Sequence, residues 1–322
     1  VFVSHHDHSH SHSHVHFRTS RALFIALLLN SAFVVVEGVA GWKADSLALL
    51  SDAGHNFTDV FALILAAFGV YWQGRPGDHK KTFGYQRAGV LAAFVNSLAL
   101  VLLSGYFIYE SIVRLLHPEP VAEGLMMIVA TIGVGVNLGT VFALGGGGGH
   151  HDSDLNVRAA WLHMAGDAAA SVAIIIGAAV MRWTGWHAID PLLSLLIAVG
   201  IIWSGWGIVR DTINILLEGL PKGLRLSDVT QSLMQVSGVI DVHDLHIWSL
   251  GADSSALSCH VLIEDMPPSA SDAILRSINH VLAGKFHIFH TTIQFEHVRC
   301  VLADVHCSSA KLGAAHDESH QH

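Results

Sequence analysis

Six windows of about 20 mainly apolar residues, each long enough to cross roughly 30 Å of hydrocarbon, follow one another through this chain at 21–42, 46–73, 84–116, 124–144, 155–183 and 188–217. In hydrocarbon every backbone N–H and C=O must be paired inside the protein, and windows of this length achieve that as helices. The composition agrees. Only 13% of the 322 residues are charged and the mean hydropathy is +0.49, whereas a soluble domain carries roughly 25% charged residues. The expectation is an α-helical membrane protein whose residues 21–217 form a domain of six transmembrane helices.

Lys and Arg in short connections set orientation. Arg18, Arg21, Arg75, Lys80, Lys81, Arg87, Arg158, Arg210, Lys222 and Arg225 fall on one side of a six-span arrangement, and only Lys43, Arg114 and Arg182 on the other. Both termini are therefore expected to be cytoplasmic, in a multi-pass protein that best fits a bacterial inner membrane. The stretch HHDHSHSHSHVH from His5 has no apolar core or cleavage site of a secretory signal. Its alternation of His with Ser reads as a native His-rich tail over 1–20 rather than a purification tag, and 306–322 form a second His-containing tail.

A formal net charge of -9 speaks against nucleic acid as a partner and favours cations. The chain has 25 His, more than its 17 Lys and Arg together. Imidazole is the commonest protein metal ligand and titrates near neutral pH, so metal ions and protons both enter the reading.

Two apolar windows carry the same pattern, His55 with Asp59 and His163 with Asp167. The i, i+4 spacing puts each pair on one helix face. Two such faces brought together offer two nitrogens and two carboxylate oxygens, a set suited to four-coordinate zinc(II) and poorly suited to copper(I), which prefers sulfur. A membrane Asp costs on the order of 2.5–3.5 kcal/mol on insertion scales and normally faces a partner in the bundle interior. Repetition of the pattern in two helices makes a shared metal site the better explanation than local hydrogen bonding. Asn30, Asn96, Asn137 and Ser171 read as helix-to-helix glue or cavity lining. Glu37 belongs with that set or, being close to the outer end of its window, simply reaches the interface, and Asp45 and Asp52 are read as lying in or near the short outer connection.

From Glu218 the composition becomes that of a soluble domain, taken as 218–305. Helices over 227–236 and 271–286 and strands over 239–250, 256–264 and 291–297 give the order αββαβ, a small ferredoxin-like, metallochaperone-like α/β fold. Ser227 is the expected N-cap of the first helix. Alternation at Leu257, Cys259, Val261 and Ile263 marks the buried face of a strand. A domain this small is often helped by a partner, which dimerisation would supply. Its strands carry His243, His260 and Glu296; adjacency would bring them together as a metal site, while alternation also lets each serve separately. Cys259, Cys300 and Cys307 are odd in number and lack CxxC spacing, so no disulfide framework is expected.

Asp78 and His79 in the inner connection read as part of a solvated charged loop, and 145–149 with His150 and His151 as a flexible linker. No catalytic residues are expected: HExxH is absent, and so is an ATP-binding GxxxxGK[ST]. A membrane-anchored zinc sensor that binds metal in the soluble domain without transporting it is the alternative to a transporter.

SLALLSDAGHNFTD, FGYQRAGVLAAFVN, DLNVRAAWLHMAGDAAAS, the dipeptide Asp190–Pro191, LLEGLP, VHDLHIWSL and TTIQFEH occur in order and in register with the six windows. In these motifs the chain resembles the cation diffusion facilitator family, in particular its bacterial zinc, cobalt and cadmium resistance members, from Phe24 to Glu296. The resemblance implies a homodimeric metal–proton antiporter that exports zinc(II) from the cytoplasm by alternating access. It carries the transport site onto His55, Asp59, His163 and Asp167, a regulatory or structural metal site onto His243, His260 and Glu296, and a charge interlock onto Arg87 and Glu218. Gly89 stands where many members have Glu, and Lys81 where many have His, which argues against a second site in the inner loop.

Overall fold

A computed structural model describes residues 15–145, 155–251 and 254–298, with side chains over 28–140, 164–251 and 254–298. Six long helices come first: α1 Val15–Ala44, α2 Leu47–Gln73, α3 Ala88–Leu116, α4 Glu123–Gly145, α5 Leu155–Thr184 and α6 Ile189–Leu216. Then follow α7 Leu226–Met234, β1 Val239–Ser249, β2 Ser255–Ile263, α8 Pro268–Phe286 and β3 His290–Glu296. Five helices, α2 to α6, have described portions long and apolar enough to cross a membrane, and α1 holds the remaining apolar window. Residues 1–14 of the first His-rich tail, the second tail and the linker around His150 lie outside the described residues, as do Cys300 and Cys307, while 15–20 are not tail but the opening turns of α1, six residues before the apolar window.

The described residues fall into two compact units, one drawn from Val1–Ile64 and Val95–Gly207, the other from Leu65–Phe94 and Ile208–His322. In the first, Phe33, Ala40, Ala48, Leu49, Met126, Ile174, Ala178 and Met181 form a buried core rich in small residues. Small side chains let helix backbones approach closely where lipid gives no hydrophobic drive to associate. Large apolar side chains point outward instead, with Leu102, Leu196 and Trp203 exposed along α3 and α6 and Trp42 and Trp183 exposed near helix ends. That is the surface a lipid-facing bundle needs, with aromatic residues at its borders.

Two polar clamps organise this unit. Asp190, fully buried in the first turn of α6, accepts the backbone N–H of Leu47 at 2.7 Å and of Ala48 at 3.3 Å, and the hydroxyl of Ser46. A carboxylate from one helix thus satisfies donors at the start of another that lack helical acceptors. Arg114 of α3 donates to the Asp45 carbonyl at 2.7 Å and pairs with its carboxylate at 2.9 Å. Asp45 sits at φ 53°, the left-handed turn between α1 and α2.

In the second unit β1 and β2 pair antiparallel and β2 and β3 parallel, in the order β1-β2-β3. Leu257, Cys259, Val261 and Ile263 are all buried, as their alternation requires, against Val229 and Leu233 of α7 and Ile274, Ile278 and Leu282 of α8. The i, i+4, i+8 spacing of the last three gives α8 a single apolar stripe. That helix begins at Pro268, earlier than its apolar pattern, because proline is at home in a first turn. Ser227 is not the N-cap of α7. Arg225 occupies that position without a side-chain cap, its guanidinium paired with Asp228 at 3.0 Å, and the Ser227 hydroxyl donates to the same carboxylate. α3 starts at Ala88 rather than 84, because Thr82–Arg87 are folded as turns, with Gly84 at φ 69°.

Candidate metal sites

In the first unit α2 and α5 bring three of the four expected ligands together. His55 Nε2 lies 3.8 Å from Asp59 Oδ2 and 3.6 Å from Asp167 Oδ1. Ligand atoms about 2.0–2.2 Å from a tetrahedral zinc stand roughly 3.3–3.6 Å apart; the His55–Asp167 separation falls at that spacing and the His55–Asp59 one is slightly longer. His55 and Asp167 are largely buried, with side chains 16% and 7% exposed, and Asp59 at 28% is more open. His163 lies in α5 one turn before Asp167, with its side chain outside the described residues.

Around this group is a further set of buried polar side chains. Glu37 does not reach an interface: it is fully buried in α1, and Asn56 Nδ2 donates to its Oε2 at 3.1 Å. Asp52 is not in the connection before α2 but inside that helix, 1% exposed, where Ser171 Oγ donates to its Oδ2 at 3.3 Å. Hydropathy averages over a window and cannot see which face of α1 or α2 an acid occupies. The i, i+3 spacing of Asp52 to His55, and i, i+4 of Asp52 to Asn56, carried the available signal.

The second unit holds another cluster. His243 and His260 are cross-strand partners in the β1–β2 ladder, with ring centroids 5.5 Å apart. Glu296 at the end of β3 reaches both, at 3.2 Å from His243 Nε2 and 2.9 Å from His260 Nδ1. Ligand atoms of all three lie within 4.8 Å of one another. His243 Nδ1 is buried and lacks a hydrogen-bond partner among the described residues. Two imidazoles and a carboxylate with a donor atom unsatisfied fit zinc(II) or a similar divalent ion.

Asp244, which the spacing did not single out, borders this cluster: its Oδ1 lies 3.0 Å from His246 Nε2 and its Oδ2 3.9 Å from His260 Nε2. It sits at φ 49° in an irregularity of β1 between His243 and His246. The extra residue turns His246 toward Asp244 rather than into the three-residue cluster. In the inner connection Asp78 accepts the N–H groups of Lys80 and Lys81, each at 2.7 Å. Those bonds, Lys80 first, hold its carboxyl below the usual carboxylate range and commit it to a turn. Arg87 and Glu218, also in the second unit, pair at 3.3 Å, and Arg87 donates to the Ser249 carbonyl.

Comparison with known proteins extends over both units. Residues 23–217 match the model of a cation efflux transmembrane domain, and 221–298 that of a cation efflux protein cytoplasmic domain. A protein of Shigella flexneri named zinc transporter ZitB is 38% identical over 301 residues, 92% of this chain and 94% of its own. One of Bacillus subtilis named cadmium, cobalt and zinc/H(+)-K(+) antiporter is 39% identical, covering 86% of this chain and 88% of its own. The solved metal-bound C-terminal domain of the CzcD transporter from Cuprividus metallidurans is 36% identical, spanning 23% of this chain and 99% of that one, with a TM-score of 0.21.

Proposed function

This chain belongs to the cation efflux family, the cation diffusion facilitators, and on that footing we propose that it exports zinc(II) from the cytoplasm in exchange for protons. The observation that carries this reading is the meeting of His55, Asp59 and Asp167 on α2 and α5, inside the span matched as transmembrane. His163 completes the set. Relatives named for zinc transport and for H(+)-K(+) antiport support both the cargo and the counter-ion.

The chemistry follows from the ligands. Imidazole binds a metal only when neutral, so zinc arriving from the cytoplasm displaces protons as it binds. Rocking of the bundle then opens the site to the other side. Protonation of His55 or His163 there removes nitrogen donors and releases the ion. The inward proton gradient drives the cycle.

His243, His260 and Glu296 would hold a resident divalent ion in the cytoplasmic domain. With such an ion bound, the carboxylate shared by the two imidazoles would be neutralised and residues of β1, β2 and β3 would share one ligand set. The protein acts as a homodimer, with both termini cytoplasmic in a bacterial inner membrane. Exposed Ile240 and Phe289 give the cytoplasmic domain apolar surface for a second copy. Arg87 and Glu218 serve as a charge interlock.

The test is zinc flux into liposomes holding the purified full chain, followed with a trapped fluorescent indicator under an imposed pH gradient. Gradient-dependent flux that vanishes in Asp167→Ala is the expected result. Substantial flux in that variant overturns the site, and no flux from folded, zinc-binding wild type moves the function to a sensor.

A further inference from the structure

Glu37 and Asp52 are two carboxyl groups, 0% and 1% exposed, and their side chains lie within hydrogen-bonding reach of each other. Among the described residues no Lys, Arg or His forms an ion pair with either. The other charged groups that act on the pair are Asp167 of α5 and His55 of α2. Each carboxyl has one oxygen served by a neutral donor, Asn56 for Glu37 and Ser171 for Asp52. Each also keeps one oxygen, Glu37 Oε1 and Asp52 Oδ1, buried and without a hydrogen-bond partner among the described residues.

Two carboxylates this close and this deeply buried repel each other strongly, so a state with both ionised is disfavoured. A single proton resolves the conflict: it removes one charge and converts an acceptor into the donor that the other group lacks. We propose that Glu37 and Asp52 hold one proton between them and form a counter-ion site separate from the metal ligands His55, Asp59 and Asp167.

The site is placed to sense the cargo. Asp52 precedes His55 by three residues on α2 and so lies on the same face. A divalent ion arriving at His55, Asp59 and Asp167 brings positive charge next to the pair and favours its ionised form. The shared proton then leaves to solvent as zinc binds, and a proton returns when zinc departs. Metal and proton are thereby exchanged at neighbouring sites, and the coupling is reciprocal. This step rests on the antiport reading; occupancy of the pair by a proton does not.

Infrared difference spectroscopy of the full chain in lipid nanodiscs tests occupancy directly, with zinc as the probe. Wild type at neutral pH is expected to show a protonated-carboxyl band that disappears on zinc addition. Glu37→Gln is expected to lack that change while its zinc affinity stays within about threefold, well short of the 10–100-fold loss when a ligand's support is removed. A band that responds to zinc in Glu37→Gln as in wild type overturns the proposal, as does a wild type with no protonated carboxyl. Glu37→Asp keeps the carboxyl and is expected to keep the response at a shifted frequency, so the test survives if Glu37→Gln does not fold.

In liposomes, Glu37→Gln is expected to keep zinc-for-zinc exchange and to lose about tenfold or more of its gradient-driven flux, a typical coupling factor. Wild-type response to the gradient in this variant overturns the coupling role. Absence of gradient-driven flux in wild type would strike the antiport reading and leave the infrared result to stand on its own.

Discussion

Asp190 accepts the backbone N–H of Leu47 at 2.7 Å across 143 residues of chain, so the first turn of α2 is held by a side chain of α6. His55 and Asp59 follow two and three turns further along α2. Asp190→Ala leaves the Leu47 and Ala48 amides and the Ser46 hydroxyl without this acceptor, at about 1–3 kcal/mol for an orphaned buried donor. The expected outcome is a lower melting temperature in detergent and reduced zinc flux. Asp190→Asn keeps one acceptor oxygen and is expected to fall between wild type and Asp190→Ala; equal melting temperatures in all three would refute the clamp.

On the proposed reading, metal preference follows the donor type at position 55. His55→Asp removes a nitrogen from the membrane cluster and leaves only carboxylates among its described members. Affinity is expected to shift toward ions that accept oxygen ligands, cadmium(II) or manganese(II), relative to zinc(II). Competition for flux in liposomes reads the ranking, and an unchanged order counts against His55 as a ligand.

Among the described residues Glu296 is the one whose carboxylate reaches both imidazoles of the cytoplasmic cluster. Glu296→Ala is expected to weaken zinc binding by that domain by about 10–100-fold while flux through the membrane site persists at saturating zinc. Titration calorimetry on the full chain checks it, as the difference between Asp167→Ala and the same chain with Glu296→Ala added, in which binding by the His-rich tails cancels. Binding unchanged by the substitution would remove the cluster as a site.

The Arg87–Glu218 pair is open to solvent, with side chains 34% and 65% exposed. By itself it is worth about 0.2–1 kcal/mol. Its effect is therefore expected in transport more than in stability. Glu218→Arg should depress flux, and adding Arg87→Glu should recover part of it; the Arg87 bond to the Ser249 carbonyl is not restored by the exchange. A double variant no better than the single one argues against a charge interlock.

Burial pushes the Cys259 thiol up to about 11. At neutral pH it is expected to resist alkylation in the folded domain and to react fully in denaturant. The pH dependence has a definite sign. An unfolded thiol ionises near 8.5, so above that pH the unfolded state loses a proton that the folded state keeps. The contribution is complete below about 8.5 and is lost as pH rises toward 11. Denaturant melts of wild type and Cys259→Ala should converge over that window, and parallel curves would show the thiol does not carry it.

Much of this molecule was legible in its residues. Hydropathy located the long helices to within a few positions, and alternation at Leu257, Cys259, Val261 and Ile263 identified the buried face of β2. The repeated HxxxD pattern singled out His55, Asp59 and Asp167, which the helices bring together. Two kinds of information were not local enough to read. The burial of Glu37 and Asp52 depends on which faces of α1, α2 and α5 meet, a tertiary fact that no single window contains. The position of Asp244 depends on an extra residue in β1, which period-two alternation cannot register. Arg87 and Glu218 were pointed to by family resemblance alone, since nothing in their spacing links residues so distant in sequence.

Gly69 and Gly89 bring the backbones of α2 and α3 together: a Cβ on Gly69 would come within 2.8 Å of the Gly89 Cα. One on Gly89 would instead meet the Gln73 side chain at 2.8 Å, and a side chain can swing aside where a backbone cannot. Mutational tolerance at this crossing is therefore lopsided. Position 89 can take a side chain at the expense of a glutamine rotamer, whereas position 69 is closed to every side chain unless the helices themselves part.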